Sequence, residues 1–213
     1  MTEMKQAAAL IGDVIGSRGV ADRAALHRRL REVVELANND LAPLVPLRIQ
    51  SGDEYQGVYA TVGAALHAAL RLRLALLPDA DLRHGIGWGG VTVLEQEPRV
   101  EDGPGWWAAR AAIEEVEADA ARARTHAART RYVLATDTEG PAEAAVNAAL
   151  LCRDQLVDAG DERALRLLRG LLDGRSQTDL AADEGISPSA VSQRTRRSGL
   201  AVVVAADALL QEV

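Results

Sequence analysis

The sequence contains no phenylalanine, and aromatic residues make up only 3% of its 213 positions. Its hydrophobic content of 48% is nevertheless high enough for a sizeable core, which must be filled mainly by Ala, Leu and Val. Such a composition favours helices. The length suits one large domain, or a medium domain with a small one.

Cysteine is almost absent, since Cys152 is the only one. A single thiol excludes an intramolecular disulfide and any zinc site built from several cysteines. Because Cys152 lies in the apolar run "AALLCRD", we expect it to be a small core residue rather than a nucleophile.

The sequence also lacks a long hydrophobic run. The most apolar stretch, residues 64–77, is interrupted by His67, Arg71 and Arg73 and is too short to span a bilayer. The start, "MTEMKQAAALIGD", reaches Asp13 before a hydrophobic segment of signal-peptide length accumulates. We therefore expect a cytoplasmic protein that does not associate with a membrane.

Positive charge is in the minority, with 24 basic against 31 acidic residues and a net charge of −7. This balance argues against binding to nucleic acid or membranes through bulk electrostatics. It does not exclude a basic patch on one small element, so the charge of each segment has to be considered separately.

The hydrophobic patterns of residues 6–136 predict alternating strands and helices. They indicate a strand, a helix capped by Asp22, a two-stranded hairpin, a helix over 62–77, a strand over 82–96, a loop at 101–105, a helix and a last strand. This order predicts an α/β sandwich of the ferredoxin-like type, with helices on a mixed or antiparallel sheet. Four glycines within residues 85–90 indicate that another backbone or a ligand comes close to that strand.

The composition changes at Asp137, after which the patterns are helical. We therefore divide the chain into an α/β domain (1–136), a connector (137–160) with a helix over 142–156, and an all-α domain (161–213).

The C-terminal segment "RSQTDLAADEGISPSAVSQRTRRSGL" has the pattern of a helix-turn-helix. Ser176 and Ser187 are predicted to cap two short helices, Gly185 to form a left-handed turn between them, and Pro188 to begin the second helix. That helix buries Val191 and presents side chains that suit base edges and phosphates, namely Ser187, Ser189, Ser192, Gln193, Arg194, Arg196 and Arg197. The alternative is a helical hairpin with a solvated charged face.

The segment resembles the helix-turn-helix of sigma-factor region four and of many bacterial regulators, and the resemblance implies binding to double-stranded DNA. One such module binds DNA weakly, so we expect a homodimer. The closing stretch "LAVVVAADALLQEV" is predicted to be a dimer helix or a docking helix.

Carboxylates stand at two predicted strand ends near the N-terminus. Asp13 ends the first strand in "GDVIGSR", and Asp53 and Glu54 lie in the hairpin turn of "SGDEY". If the strands are neighbours, Asp13 and Asp53 converge and can share a divalent cation. The N–H groups of residues 14–17, at the entrance to the first helix, would then face a phosphate. Alternatively, Asp13 is a helix N-cap, and Asp53 and Glu54 are ordinary turn residues.

These motifs resemble the nucleotidyl cyclase fold of class III cyclases and GGDEF diguanylate cyclases. "DVIG" looks like the cyclase first strand, "SGDEY" like the segment with the second metal aspartate, and "GIGWG" with "GWWAAR" like class III segments that end in a transition-state arginine. The resemblance implies that a nucleotide and Mg²⁺ are bound. The implied metal ligands are Asp13, Asp53 and Glu54, and the implied phosphate contacts are Val14, Ile15, Gly16, Ser17, Ser51 and Gly52. Arg110 would be a catalytic group only if the protein is an enzyme.

Three positions depart from the cyclase pattern. Trp106 takes the place of the catalytic Asn, Ile49 that of the adenine-reading Lys, and Ser51 that of the first Gly of GGDEF. The residues that resemble the metal-binding and phosphate-binding groups of cyclases are therefore retained, whereas those at the base-reading and transition-state positions are altered. A plain structural role is also open for Arg110, which would pair with Glu114 one helical turn on.

The combination of "GDVIGSR", "SGDEYQG", "DGPGWWAAR" and the terminal helix-turn-helix resembles the SatD family of bacterial proteins over nearly the whole chain. The resemblance implies a two-domain regulator linked to stress-response operons. Our hypothesis is a dimeric DNA-binding regulator whose cyclase-like domain binds a nucleotide. The alternatives are an active nucleotidyl cyclase or nucleoside-triphosphate-processing enzyme with a DNA-binding module, and a DNA-binding protein whose first domain only dimerises.

Overall fold

The computed structural model describes residues 5–213, so the first four residues of the start considered above lie outside it. The strands are β1 (Lys5–Val14), β2 (Val45–Ser51), β3 (Glu54–Tyr59), β4 (Leu82–Gln96), β5 (Arg99–Asp102) and β6 (Thr130–Leu134). The α-helices are α1 (Arg23–Asp40), α2 (Val62–Leu76), α3 (Pro104–Ala120), α4 (Glu143–Asp158), α5 (Glu162–Leu172), α6 (Gln177–Glu184), α7 (Pro188–Arg197) and α8 (Leu200–Leu210).

The strands form one mixed sheet with β1 near its centre. β1 pairs antiparallel with β3 and with β4, while β6 pairs with β4 in parallel. The β2-β3-β1-β4 order of the first four strands is the arrangement of the ferredoxin-like plait. The predicted mixed α and β architecture is confirmed.

The predicted loop at residues 101–105 was partly wrong. Glu101 and Asp102 belong to β5, which forms a hairpin with the far end of β4, and only Gly103 separates β5 from α3. Pairing with β4 satisfies the backbone hydrogen-bonding groups of this segment, although its Gly and Pro residues by themselves suggest irregular structure.

Both faces of the sheet are covered, because side chains of β1 alternate between them. Ala8, Leu10 and Val14 pack in one cluster with residues of α1, α2 and α4. Ala7, Ala9 and Ile11 pack in another cluster with residues of α3. The domain is therefore a three-layer sandwich whose β1 is buried on both sides.

The glycines of β4 allow α3 to approach the sheet closely. A Cβ atom on Gly87 would lie 2.2 Å from both the Ala109 nitrogen and the Gly105 oxygen, and one on Gly85 would lie 2.4 Å from the Ala109 oxygen. The prediction that another backbone comes close to this strand is confirmed, and that backbone is α3.

Helix α4 packs on the sheet as well as joining it to the C-terminal helices. The buried Asp154 carboxylate accepts the N–H groups of Arg129 and Thr130, at 2.8 and 2.7 Å, where β6 begins. Arg153 donates to the Thr130 hydroxyl at 2.9 Å. The predicted connector helix is thus anchored on β6.

The C-terminal helices pack against α2 around a shared apolar cluster that includes Leu70 and Leu74 of α2. Arg169 of α5 donates to the carbonyls of Leu74 and Leu77, at 2.6 and 3.0 Å. Helix α8 contacts both α2 and α4, and His67 of α2 is hydrogen-bonded to Asp207 of α8 at 2.7 Å. Within one chain, α8 therefore acts as a docking helix.

Cys152 is exposed on α4, so its assignment to the core was wrong. The buried side of α4 faces the sheet through Val146 and Leu150, and the C-terminal helices through Val157. Among residues 5–213, no helix combines the length and the apolar character needed to cross a bilayer.

Candidate functional site

Asp13 and Asp53 line the same cleft. Asp13 is the next-to-last residue of β1, and Asp53 lies in the turn between β2 and β3. Since β1 pairs with β3, these two strand ends are neighbours. The cleft has a volume of about 350 Å³, and its other lining residues are Val14, Gly16, Ser17, Arg18, Arg83 and Glu117. The neighbouring strands that a shared site requires are therefore present.

Arg83 of β4 holds the Asp13 carboxylate with two hydrogen bonds, 3.1 Å from Nε and 2.7 Å from a terminal nitrogen. Asp13 and Arg83 are cross-strand partners in the β1–β4 ladder, and Glu117 of α3 lies 3.2 Å from the same guanidinium. Burial alone would lower the pKa of Arg83, but Asp13 and Glu117 raise it overall. Arg83 is therefore a fixed cation at the end of the cleft, which sequence reasoning missed.

Asp53 accepts a hydrogen bond from the Ser17 hydroxyl. Ser17 follows Gly16, whose φ of 70° is in the left-handed region, and begins a short 3₁₀ turn (Ser17–Gly19). Within the described part of the chain, the main-chain N–H groups of Gly16, Ser17 and Arg18 donate to no acceptor. Successive free N–H groups around a left-handed residue form a concavity that attracts anions.

The other two residues of the predicted phosphate loop are used by the sheet. Val14 lies in the ladder opposite Leu82, and the Ile15 N–H donates to the Asp81 carbonyl at 2.9 Å. The predicted position at the entrance to the first helix was wrong, because α1 begins only at Arg23. Asp22 caps α1 by accepting the Ala25 N–H at 2.8 Å, so Asp13 is not its N-cap.

A second, more apolar recess of about 330 Å³ adjoins the cleft. The two share Val14, Ser17 and Asp53, so they meet at the Ser17–Asp53 hydrogen bond. The recess is closed by α1 residues, and His27 of α1 donates to the Gly52 carbonyl at 2.9 Å. No local pattern marked His27, because only the packing of α1 over the hairpin brings it there.

Glu54 points to a different partner from Asp53. Arg110 of α3 donates to both Glu54 oxygens at 2.9 Å, and this hydrogen bonding is the main reason that the pKa of Arg110 is raised. Arg110 thus joins α3 to the hairpin, rather than forming a hydrogen bond with Glu114. Both Glu54 oxygens are occupied by the arginine. The two predicted phosphate contacts in this turn, Ser51 and Gly52, are exposed.

The two tryptophans after Gly105 differ in environment. Trp106 is buried in the cluster between the sheet and α3, so it is a core residue. Trp107 is 63% exposed, and its indole donates to the Asp102 carboxylate at 2.8 Å.

A buried pair holds the hairpin in register behind the cleft. Tyr55 of β3 is hydrogen-bonded to Nε2 of His84 on β4 at 2.6 Å, crossing the face of Gly12 on β1. Burial, followed by the charges of Arg153 and Arg73, lowers the pKa of His84 to about 3. His84 is therefore a neutral positioning residue that fixes the Asp53 turn relative to Asp13.

At the C-terminal end, α6 and α7 have the predicted caps. Ser176 accepts the Asp179 N–H at 3.1 Å, Ser187 accepts the Ala190 N–H at 3.2 Å, and Gly185 has φ of 65° between the two helices. Of the predicted DNA-contacting residues, those that are exposed are Ser187, Ser189, Gln193, Arg196 and Arg197, and those that are half-buried are Ser192 and Arg194.

Arg194 differs from its neighbours because it has a partner within the chain. Two of its nitrogens donate to Asp161, at 2.8 and 3.1 Å, and Asp161 also caps α5. The side chain thus braces α7 against α5.

A family model described as the SatD family matches residues 7–209. The chain belongs to the SatD family. No curated protein matches the sequence.

Solved structures similar to this SatD protein include cyclases and a regulator. A bacterial light-regulated adenylyl cyclase is 11% identical, with 55% of this chain and 42% of that chain covered and a TM-score of 0.44. The catalytic core of a rhodopsin-guanylyl cyclase with converted specificity, in complex with ATPαS, is 20% identical, with 54% and 76% covered and a TM-score of 0.41. The Regulator of Polyketide Synthase Expression from Bifidobacterium adolescentis is 16% identical, with 98% and 86% covered and a TM-score of 0.29. The SatD chain thus spans less than half the length of the first of these.

The donor set of the SatD cleft can be compared with the needs of Mg²⁺. The described residues contain no group of three or more His, Cys, Asp or Glu side chains placed to hold a metal. Mg²⁺ is, however, commonly bound through one or two carboxylates plus substrate phosphates and water. Asp13 and Asp53 are carboxylates of this kind, and in this structure both Asp13 oxygens are bonded to Arg83 and Asp53 is bonded to Ser17.

Proposed function

We propose that this SatD family protein is a homodimeric DNA-binding transcriptional regulator in which α7 enters the major groove. The observation that carries the proposal is the pair of capped helices joined at Gly185, with the second helix exposed and basic. Helix α7 has three arginines in its last turn, and its sequence, PSAVSQRTRR, has no acidic residue. This local charge differs in sign from the net charge of −7 of the whole chain.

The exposed side chains of α7 have the chemistry of DNA recognition. The guanidinium groups of Arg196 and Arg197 suit guanine edges and phosphates, and the Gln193 amide suits adenine. Arg194 has a supporting role in the proposal, because its bonds to Asp161 fix α7 on α5. A braced helix loses less conformational freedom when it binds.

We expect the double variant Arg196→Ala/Arg197→Ala to lower the affinity for specific DNA by about 100-fold or more. It should also reduce the dependence of affinity on salt, since each lost phosphate contact lowers the slope by about one. Fluorescence anisotropy, with duplex DNA selected by the wild-type protein from a random pool, measures both quantities.

The matched control is Arg122→Ala/Arg124→Ala, which removes two exposed arginines near β6. This variant should bind DNA as the wild type does. Equal loss in both double variants, or a wild type without any salt-resistant complex, would contradict the proposal.

The cleft at Asp13 and Asp53 gives the regulator a ligand site, and the proposed ligand is a nucleoside triphosphate with Mg²⁺. The free N–H groups of Gly16, Ser17 and Arg18 support the phosphate. A metal is needed as well, because the carboxylates of Asp13, Asp53 and Glu117 outnumber the two arginines that line the cleft. A triphosphate without a cation would be repelled.

We expect Mg²⁺ with ATP or GTP to raise the Tm by roughly 5 °C at a hundredfold excess over Kd. Mg²⁺ alone, or the nucleotide with a chelator, should leave the Tm unchanged, since neither supplies both charges. Asp53→Asn should abolish the shift, whereas the control Asp79→Asn, at an exposed aspartate after α2, should retain it. A shift that persists in Asp53→Asn would place the nucleotide elsewhere.

The enzymatic alternative has less support from the site. Arg110 is held by both Glu54 oxygens, and Trp106, at the position of the cyclase asparagine, is packed in the core. Pyrophosphate release from ATP or GTP with Mn²⁺, lost in Asp53→Asn, would reverse this ranking and make the protein an enzyme.

A further inference from the structure

The outer side of α8 is apolar along its whole length. Its exposed residues are Ala201, Val202, Ala205, Ala208 and Leu209. Val202 is 60% and Leu209 is 67% exposed, although both are large apolar side chains. The single charged residue of α8, Asp207, is buried and bonded to His67. A helix that is apolar on all sides is normally buried on all sides.

Helix α4, which α8 contacts, also has an uncharged outer strip over residues 144–155. Gly199, just before α8, lies against Leu156 near the end of α4. The exposed residues of this strip are Ala144, Ala145, Ala148, Leu151, Cys152 and Gln155, and the exposed Asp158 follows it at the end of α4. The six residues of the strip and the five exposed residues of α8 are named here the α4–α8 face.

We propose that the α4–α8 face is the surface through which two copies of this chain associate. A helix of 16 residues is about 24 Å long and one of 11 residues about 16 Å, and packed helices lie roughly 10 Å apart. The face is therefore roughly 20 Å in each direction. A contact of that size falls at the lower end of specific interfaces, as expected for a dimer that dissociates on dilution.

Charge indicates a second copy rather than another partner. Two chains that each carry a net charge of −7 repel one another, and they can approach most easily through a face without charge. In a dimer with two-fold symmetry the same face of both chains meets, so the apolar residues of one copy are covered by those of the other. It offers no charged group by which DNA or a basic or acidic protein would be recognised.

The position of the face links the dimer to DNA binding by α7, and this link rests on the proposed function. Only Ser198 and Gly199 separate α7 from α8. An interface on α8 would therefore fix the two α7 helices relative to one another, as recognition of two half-sites one helical turn apart requires.

A competing apolar surface lies around the hairpin of β4 and β5. Leu94 of β4 is 59% exposed, close in sequence to the hairpin with β5, and Trp107 is exposed on α3. This region is interrupted by Glu95, Glu97 and Arg99, all exposed. It provides the matched control for the test.

Sedimentation equilibrium of the full chain tests the inference. We expect the wild type to dimerise at tens of micromolar, and Leu209→Glu and Val202→Glu each to weaken dimerisation by about tenfold or more. Both side chains are mostly exposed, so the fold should be retained, as circular dichroism can check. Leu94→Glu should dimerise as the wild type does. A wild type that stays monomeric, or a dimer lost in Leu94→Glu but kept in Leu209→Glu, would overturn the inference.

The single thiol gives a second readout that needs no substitution. Cys152 lies within the face, so its reaction with an aromatic disulfide reagent should slow as the wild-type concentration rises and should not slow in Leu209→Glu. Concentration-independent reaction in the wild type would contradict the proposal. Since neither experiment contains DNA, failure of this interface is distinguishable from failure of DNA binding by α7.

Discussion

Gly87→Ala is expected to lower the free energy of unfolding by at least about 3 kcal/mol. The added methyl group would lie 2.2 Å from two backbone atoms of α3, Ala109 N and Gly105 O. Backbone atoms cannot change rotamer, so either α3 must move away from β4 or the strand must bend. Urea denaturation, followed by circular dichroism, measures the loss.

The matched control is Gly19→Ala, since a Cβ atom on Gly19 would meet no heavy atom within 4 Å. That variant should differ from the wild type by less than about 0.5 kcal/mol. If the two alanine variants unfold at the same urea concentration, the close packing of α3 on β4 is not what determines stability. The result also bears on the cleft at Asp13 and Asp53, because α3 carries Glu117, which lines it.

Asp154→Ala is expected to cost about 3–5 kcal/mol, the range for breaking a buried ion pair by removing one partner. The substitution leaves the N–H groups of Arg129 and Thr130 without an acceptor. It also leaves the buried guanidinium groups of Arg153 and Arg73, which lie 3.4 and 3.7 Å from Asp154, without this counter-charge. Chemical denaturation at constant pH measures the change.

Asp158→Ala provides the comparison, one helical turn further along α4. Its carboxylate is 31% exposed and lies 3.7 to 3.9 Å from Arg129 and Arg73, so its loss should cost less than about 1 kcal/mol. Similar losses in the two variants would mean that charge, rather than the buried backbone contacts at β6, determines the effect of Asp154.

The local features of the C-terminal helices were fully predictable from the sequence. Ser176, Gly185 and Ser187 act on groups within three or four residues of themselves, so caps and the left-handed turn are determined by short-range spacing. Val191 is buried because it occupies the apolar side of a short helix. The alternation of strands and helices before residue 136 was predictable for the same reason, since hydrophobic periodicity is a local property.

Which residues face one another was decided only by the tertiary structure. Asp13 and Asp53 were identified as neighbours on the condition that their strands pair. Arg83, which holds Asp13, and His27, which donates to the Gly52 carbonyl, come from β4 and α1 through packing. Glu54 was predicted beside a metal and instead meets Arg110, 56 residues away. Cys152 and α8 were interpreted from their apolar sequences alone. Which side of each helix is covered depends on the elements packed around it. The sequence by itself determined most of the elements, though not β5, and the caps of α1, α6 and α7, because those interactions span a few residues. Only the fold decided which charges pair and which apolar side stays exposed, because those contacts join segments that no local pattern relates.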